Sequence, residues 1–82
     1  MFVCYILLSH GTGKYYAGST EDMVNRLQEH NSGQGHSTRG GLPWEIVWKE
    51  EFLTRREALD RERQIKARGI RRFLDDDKKK PG

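Results

Sequence analysis

A glutamate stands where an apolar residue is expected. In Ala58-Leu-Asp-Arg-Glu62-Arg-Gln-Ile65-Lys66, helical spacing puts Ala58, Leu59 and Ile65 on one stripe, with Glu62 in its middle. A carboxylate there is costly to desolvate unless it pairs with a core-edge arginine or holds a cation. A segment near Met23, Val24 and Leu27 repeats the anomaly: Arg26 and His30, at i and i+4, share one margin of the apolar stripe. Taken singly, each has an ordinary reading, a snorkelling arginine and a histidine near a helix C-terminus. Together they offer a fork of donors and an imidazole to one groove. Tyr5 and Tyr16 lie in apolar, strand-like runs, where a core tyrosine ordinarily gives its hydroxyl to the backbone. A hard divalent ion on Glu62, with cationic donors and phenols nearby, suits hydrolysis of a phosphodiester.

The elements that must position these residues are short. Phe2 to Leu8 is continuously apolar and rich in β-formers, as in a strand covered on both faces. Gly11-Thr-Gly13 makes a hairpin connection to a second antiparallel strand, Lys14 to Gly18. Ser19 or Thr20 is expected to cap a first helix that runs to about Asn31, with Glu21 and Asp22 in its first turn. Residues 32–41 read as a glycine-rich loop. Pro43 precedes a third strand, Glu45 to Phe52, with Ile46 and Trp48 expected on one face. Thr54-Arg-Arg-Glu57 is a capping box that opens a second helix to Arg68. Gly69 stops it, and Ile70, Phe73 and Leu74 have the spacing of a short third helix. The order is β-β-α-β-α-α, an α+β domain over residues 1–74, with 75–82 as a charged, disordered tail.

Composition limits what such a domain can do. With 33% charged and 34% hydrophobic residues in 82, the core is small and the chain holds one domain. No run approaches the ~20 apolar residues that span a bilayer. The apolar start lacks a basic flank and a small-residue cleavage site, so a soluble cytoplasmic protein without membrane association is expected. The single cysteine, Cys4, excludes an intrachain disulfide and a cysteine metal cluster. The net charge of +3 is unevenly placed, because residues 54–82 carry eleven Lys/Arg against six Asp/Glu. That concentration favours a polyanion, although a solvated basic helix has the same composition.

Taken in order, these residues resemble the GIY-YIG nuclease family from about residue 2 to residue 74. Val3-Cys4-Tyr5 is similar to the family's first motif and Tyr16-Ala17-Gly18 to its second. Asn25-Arg26-Leu27, His30-Asn31, Thr38-Arg39-Gly40 and the Glu62 helix resemble its later signatures. The likeness is to small stand-alone bacterial members, similar to the N-terminal nuclease domain of the bacterial excinuclease. Cys4 and Ala17 replace the usual isoleucines at packing positions, and no asparagine follows the glutamate helix.

The resemblance implies a small three-stranded antiparallel sheet flanked by helices and Mg²⁺- or Mn²⁺-dependent DNA cleavage. Glu62 would be the sole protein metal ligand, and Tyr5 the general base or the group that positions water. Tyr16 and Arg26 would hold the phosphate, and His30 would orient the nucleophile or assist proton transfer. A tyrosine titrates near pH 10, so a base role requires Tyr5 to be shifted down or to act through the metal. Arg39, Arg55, Arg63, Lys66, Arg68, Arg71 and Arg72 are candidate DNA contacts that position the backbone without reading sequence. So small a chain implies cleavage governed by DNA structure or context, with a protein partner supplying specificity, in repair, recombination or processing. Two other classes fit the same residues: a non-catalytic nucleic-acid-binding module, and an interaction domain whose core-edge charges are ion pairs.

Overall fold

The computed structural model describes residues 1–33 and 39–79. Its elements are β1 (Phe2–Ser9), β2 (Tyr15–Thr20), α1 (Met23–Asn31), a 3-10 turn (Arg39–Gly41), β3 (Trp44–Phe52), α2 (Arg55–Arg68) and α3 (Ile70–Lys78). The three strands form one antiparallel sheet in the order β2-β1-β3, so the most apolar strand is central. This is the expected α+β domain with order β-β-α-β-α-α.

Alternation along β1 sends its side chains to two cores. Val3, Tyr5 and Leu7 pack with Met23 of α1 and Trp44 of β3, and with the half-buried Tyr16, Leu27 and Ile46. Cys4 and Ile6 face the other way, onto Ala17 and Ile65, and Ile70, Phe73 and Leu74 of α3 close over them. Helices therefore cover both faces of β1, which is why its sequence is apolar without a break.

The third strand departs from the expected pattern. Ile6 pairs with Trp48 but Leu7 pairs with Ile46, so the register shifts at a bulge that leaves Val47 over. Ile46 joins the α1-side core and Trp48 the opposite one, where its ring meets Phe73 edge-on at 4.9 Å between centroids. The expectation that they share a face fails at that bulge. The extra residue breaks the two-residue period.

Two helix boundaries also differ from expectation. Ser19 and Thr20 complete β2, and Asp22 is the cap of α1, its Oδ1 accepting the Asn25 N–H at 3.1 Å. Thr20 instead supports the turn, its Oγ1 accepting the Asp22 N–H at 3.2 Å. The capping box of α2 forms as read, with the Glu57 N–H given to Thr54 Oγ1 and the Thr54 N–H to Glu57 Oε1, both at 3.2 Å. Gly69 separates α2 from α3 at φ 94°, a left-handed value that favours glycine. Helix α3 continues past Leu74 to Lys78, and Arg68 clasps Asp76 through Nε and a terminal nitrogen at 2.9 and 3.2 Å. That paired contact holds a segment whose composition suggested a tail. Residues 80–82 lie outside the described residues.

Candidate active site

The centre of the α1-side core is polar. Tyr5 is fully buried, and its hydroxyl lies 3.1 Å from Nε2 of His30, itself 3% exposed. Arg26, one turn earlier on α1, places its guanidinium charge beside the same hydroxyl. Burial, reinforced by the Arg26 charge, lowers the His30 pKa and keeps the imidazole neutral at pH 7. A neutral imidazole has one accepting nitrogen. The Tyr5 hydroxyl and His30 Nε2 share one hydrogen bond, in which the accepting nitrogen of a neutral imidazole can take the phenol proton, and Arg26 lies beside them.

Of the two routes by which Tyr5 could serve as a base, a downward shift is not found. Burial, the largest influence, raises its pKa, and the nearby Arg26 guanidinium only partly opposes it. The charge of Glu62 adds to the rise. Tyr5 is therefore a protonated phenol at neutral pH.

The residue across the sheet from Tyr5 is Gly18. A Cβ there would stand 2.6 Å from the Tyr5 hydroxyl oxygen and 2.8 Å from Cζ, so only glycine lets the ring lie over β2. Tyr16, two residues earlier on the same face, packs its ring edge on His30 at 5.2 Å and on Trp44 at 6.3 Å between centroids. Its hydroxyl has no hydrogen-bond partner among the described residues.

Trp44 is fixed in turn by Asn31. The Trp44 N–H donates to Asn31 Oδ1 at 2.6 Å, and Asn31 Nδ2 donates to the Trp44 carbonyl at 3.1 Å. An asparagine amide thus stands in for a neighbouring strand at the start of β3. Sequence reasoning assigns Asn31 no role of its own; its place directly after His30 was the available signal.

Arg26 is incompletely satisfied. One terminal nitrogen meets Glu29 Oε2 at 3.1 Å, but Nε is buried without a hydrogen-bond partner among the described residues. A buried N–H normally finds an acceptor, and a guanidinium edge suits a phosphate oxygen.

Glu62 lies on α2 between the buried Ala58 and Ile65, its side chain 18% exposed, so its half-buried place on the stripe holds. Leu59, expected on the same stripe, is 37% exposed. The partner of Glu62 is a lysine rather than the anticipated arginine: Lys66 Nζ donates to Oε2 at 2.7 Å. Oε1 accepts no hydrogen bond among the described residues. No group of three or more His, Cys, Asp or Glu side chains there could hold a metal. A lone, half-buried carboxylate with one unengaged oxygen fits magnesium, which keeps several waters and takes few protein ligands.

A groove of about 370 Å³ opens beside this cluster, lined by Arg26, by Ser19 to Asp22, and by Phe2, Arg55, Ala58 and Leu59. Arg55 and Leu59 also line a second groove with Arg56 and Arg63, so a basic surface continues along α2. The other candidate DNA contacts are scattered. Lys66 is engaged by Glu62, Arg68 by Asp76, and Arg71 sits over the Tyr15 ring at 6.0 Å. Arg72 is exposed on α3, and Arg39 opens the 3-10 turn. His36 and Thr38, in the expected loop, lie outside the described residues.

Comparison with known proteins converges on one family. The family model described as GIY-YIG catalytic domain matches residues 1–71. A UPF0213 protein of Bacillus pumilus is 41% identical over 63 residues, covering 76% of this chain and 64% of the relative. One from Haloquadratum walsbyi is 47% identical over 53 residues, covering 63% of this chain and 60% of the relative. The matched segment is thus less than two thirds of either relative's length. The solution structure of a UPF0213 protein of Bacillus halodurans resembles the whole chain, with a TM-score of 0.59, 32% identity and 88% of that chain covered. No described helix is long and apolar enough to cross a membrane.

Proposed function

We propose that this chain, which belongs to the GIY-YIG family of nuclease domains, is a metal-dependent endonuclease that hydrolyses phosphodiester bonds of DNA. The observation that carries the reading is the buried Tyr5–His30 hydrogen bond with Arg26 beside it, whose buried Nε–H lacks an acceptor among the described residues. A structural ion pair explains neither the orphan donor nor the neutral histidine behind the phenol.

Glu62 is the residue that would hold a divalent cation, through its unengaged Oε1. When bound, the ion supplies positive charge against the developing charge of the phosphate and the leaving oxygen. The chain's own residues do the rest. Arg26 and Tyr16 grip the phosphate, and a guanidinium does this bidentately where a lysine cannot. Tyr5 has no exposed surface. A phosphate that draws Arg26 onto itself uncovers the phenol for the attacking water. As the water oxygen bonds to phosphorus, its proton passes to the Tyr5 oxygen and the Tyr5 proton passes to His30 Nε2. The bond from phosphorus to the leaving oxygen breaks, that oxygen takes a proton from water, and the imidazolium, disfavoured by burial and by Arg26, returns its proton to the hydroxide so formed. Tyr5 is in this reading a relay and His30 the base, which removes the need for a tyrosinate.

We place this activity in the cytoplasm, in DNA repair, recombination or processing, with magnesium or manganese as the ion and a partner protein supplying specificity. The experiment is nicking of supercoiled plasmid by the purified chain with Mg²⁺, with Mn²⁺, with EDTA, and by Glu62→Gln with Mg²⁺. Nicking that requires metal and falls at least a hundredfold in a folded Glu62→Gln supports the reading. DNA binding without nicking would overturn it in favour of a non-catalytic binding module.

A further inference from the structure

The groove beside Arg26 has the wrong chemistry for DNA backbone along one of its walls. Glu21 and Asp22 line that wall together with the hydroxyls of Ser19 and Thr20. Carboxylates repel phosphate but accept from the amino and imino groups of a base. Asp22 Oδ1 is engaged by the Asn25 N–H, whereas the exposed Glu21 has no hydrogen bond or ion pair among the described residues. The same groove is also lined by a pair of groups able to stack on a base. The Arg55 guanidinium lies over the Phe2 ring, its Cζ 5.6 Å from the centroid, so an aromatic ring and a guanidinium, both of which can stack on a base, stand together. Leu59, 37% exposed, borders both in the same groove.

We propose that this groove is a subsite for one unpaired nucleobase next to the phosphate held by Arg26. The base stacks on the Arg55–Phe2 pair and presents its Watson–Crick edge to Glu21. This deepens the nuclease reading, on which it rests for the placement of the phosphate at Arg26. Flat surfaces that stack bases and groups that read their Watson–Crick edges are available only to bases out of a duplex. The carboxylate sets the order of preference. Guanine offers two adjacent N–H donors that match both carboxylate oxygens, cytosine and adenine offer one amino group, and thymine offers only its imino N–H. The substrate class is therefore DNA with an extrahelical or single-stranded nucleotide, guanine first.

Fluorescence anisotropy in EDTA tests this without any cleavage. The probes are duplexes carrying a single bulged dG, dC, dA or dT, against the fully paired duplex of equal length. The expected result is at least fivefold tighter binding of the dG bulge than of the paired duplex, with the dT bulge weakest of the four. Arg55→Lys keeps the charge and loses the plane, so it should cut the bulge preference, the ratio of bulged to paired affinity, below twofold. Glu21→Ala should make dG and dT bulges bind alike. Equal binding of bulged and paired DNA by the wild type overturns the proposal, and so does a bulge preference that survives Arg55→Lys. Both side chains are exposed, so neither variant threatens the fold. Because nothing is cleaved, the outcomes separate. A bulge preference without plasmid nicking leaves the base site standing while the nuclease reading falls, and nicking without the preference does the reverse.

Discussion

The two faces of β1 are one residue apart in sequence and opposite in character. On one, Cys4 and Ile6 meet Ala17, Ile65 and the apolar side of α3, and the packing there is almost wholly hydrocarbon. On the other, Tyr5 lies against a neutral histidine, an arginine and a second tyrosine. Both are equally dry at β1, where Cys4, Tyr5 and Ile6 are each 0% exposed. The difference shows how a very small domain hosts chemistry. One face of the central strand supplies the hydrophobic stability, and the other can then carry polar groups whose burial stabilises nothing. Breaking either face should leave a distinct signature.

The largest stability effect belongs to the apolar face. Ile65→Ala removes a side chain with no exposed surface from the middle of α2, at a cost of about 2–5 kcal/mol. Thermal unfolding should show it as a fall of about eight degrees or more, since each kcal/mol moves the midpoint of so short a chain by about 4–8 °C. Plasmid nicking well below that midpoint should change little.

Gly18→Ala strikes the polar face. The new Cβ meets the Tyr5 hydroxyl at 2.6 Å, which overpacks the site at about 1–3 kcal/mol and displaces the phenol from His30. Nicking should fall more than tenfold, out of proportion to the stability lost. Combining it with Tyr5→Phe should cost less than the sum of the two single changes, because the clashing oxygen is gone. Strict additivity in urea unfolding would show that the hydroxyl is not what the Cβ meets.

Titration sharpens the same contrast. The folded-state pKa of His30 lies below its unfolded value of 6.5, so the unfolded chain binds more protons as pH falls through that value. Stability contributed by neutral His30 is present above pH 6.5 and is lost on acidification, a loss that His30→Gln should remove from a urea-midpoint series. The alkaline side involves both faces. Burial raises Tyr5 above 10.0 and pushes Cys4 from 9.0 up to about 11, so stability falls as pH climbs through these ranges. Cys4→Ala should blunt that alkaline loss without touching the acidic one.

The smallest effect is expected on the surface. Arg63 reaches Asp60 only at 3.9 Å with an 80% exposed side chain, and Arg63→Ala should shift stability by less than about 0.5 kcal/mol. A larger change in chemical denaturation would mean that α2 depends on its exposed charges.

How much of this could be read from the sequence differs by element. The central strand, the capping box of α2 and the stop at Gly69 rest on local chemistry and form as read. Glu62 was visible because a carboxylate interrupts an apolar stripe, and the pairing of Arg26 with His30 because helical spacing is rigid. The bulge at Val47 left no trace, since Ile46 and Trp48 are both half-buried and keep an alternating pattern while facing different cores. Asp22 was missed as the cap because Ser19 and Thr20 are equally good capping types, and the sheet claimed them first. The direction of the Tyr5 shift depends on total burial, a tertiary property that no local pattern contains.

The amide clamp of Asn31 on Trp44 has a consequence for the segment it spans. The register of a β-strand is ordinarily dictated by the turn that leads into it. Here the start of β3 is pinned from outside by a helix residue thirteen positions back, and the Ser9 hydroxyl holds the Gly41 carbonyl at 2.6 Å on the approach. The connection from α1 to β3 is thereby relieved of any duty to count residues. Its length can be changed ahead of Gly41, where a Cβ would stand 2.5 Å from the Trp44 ring, by evolution or by an engineer grafting a recognition loop, while the strand downstream keeps its place.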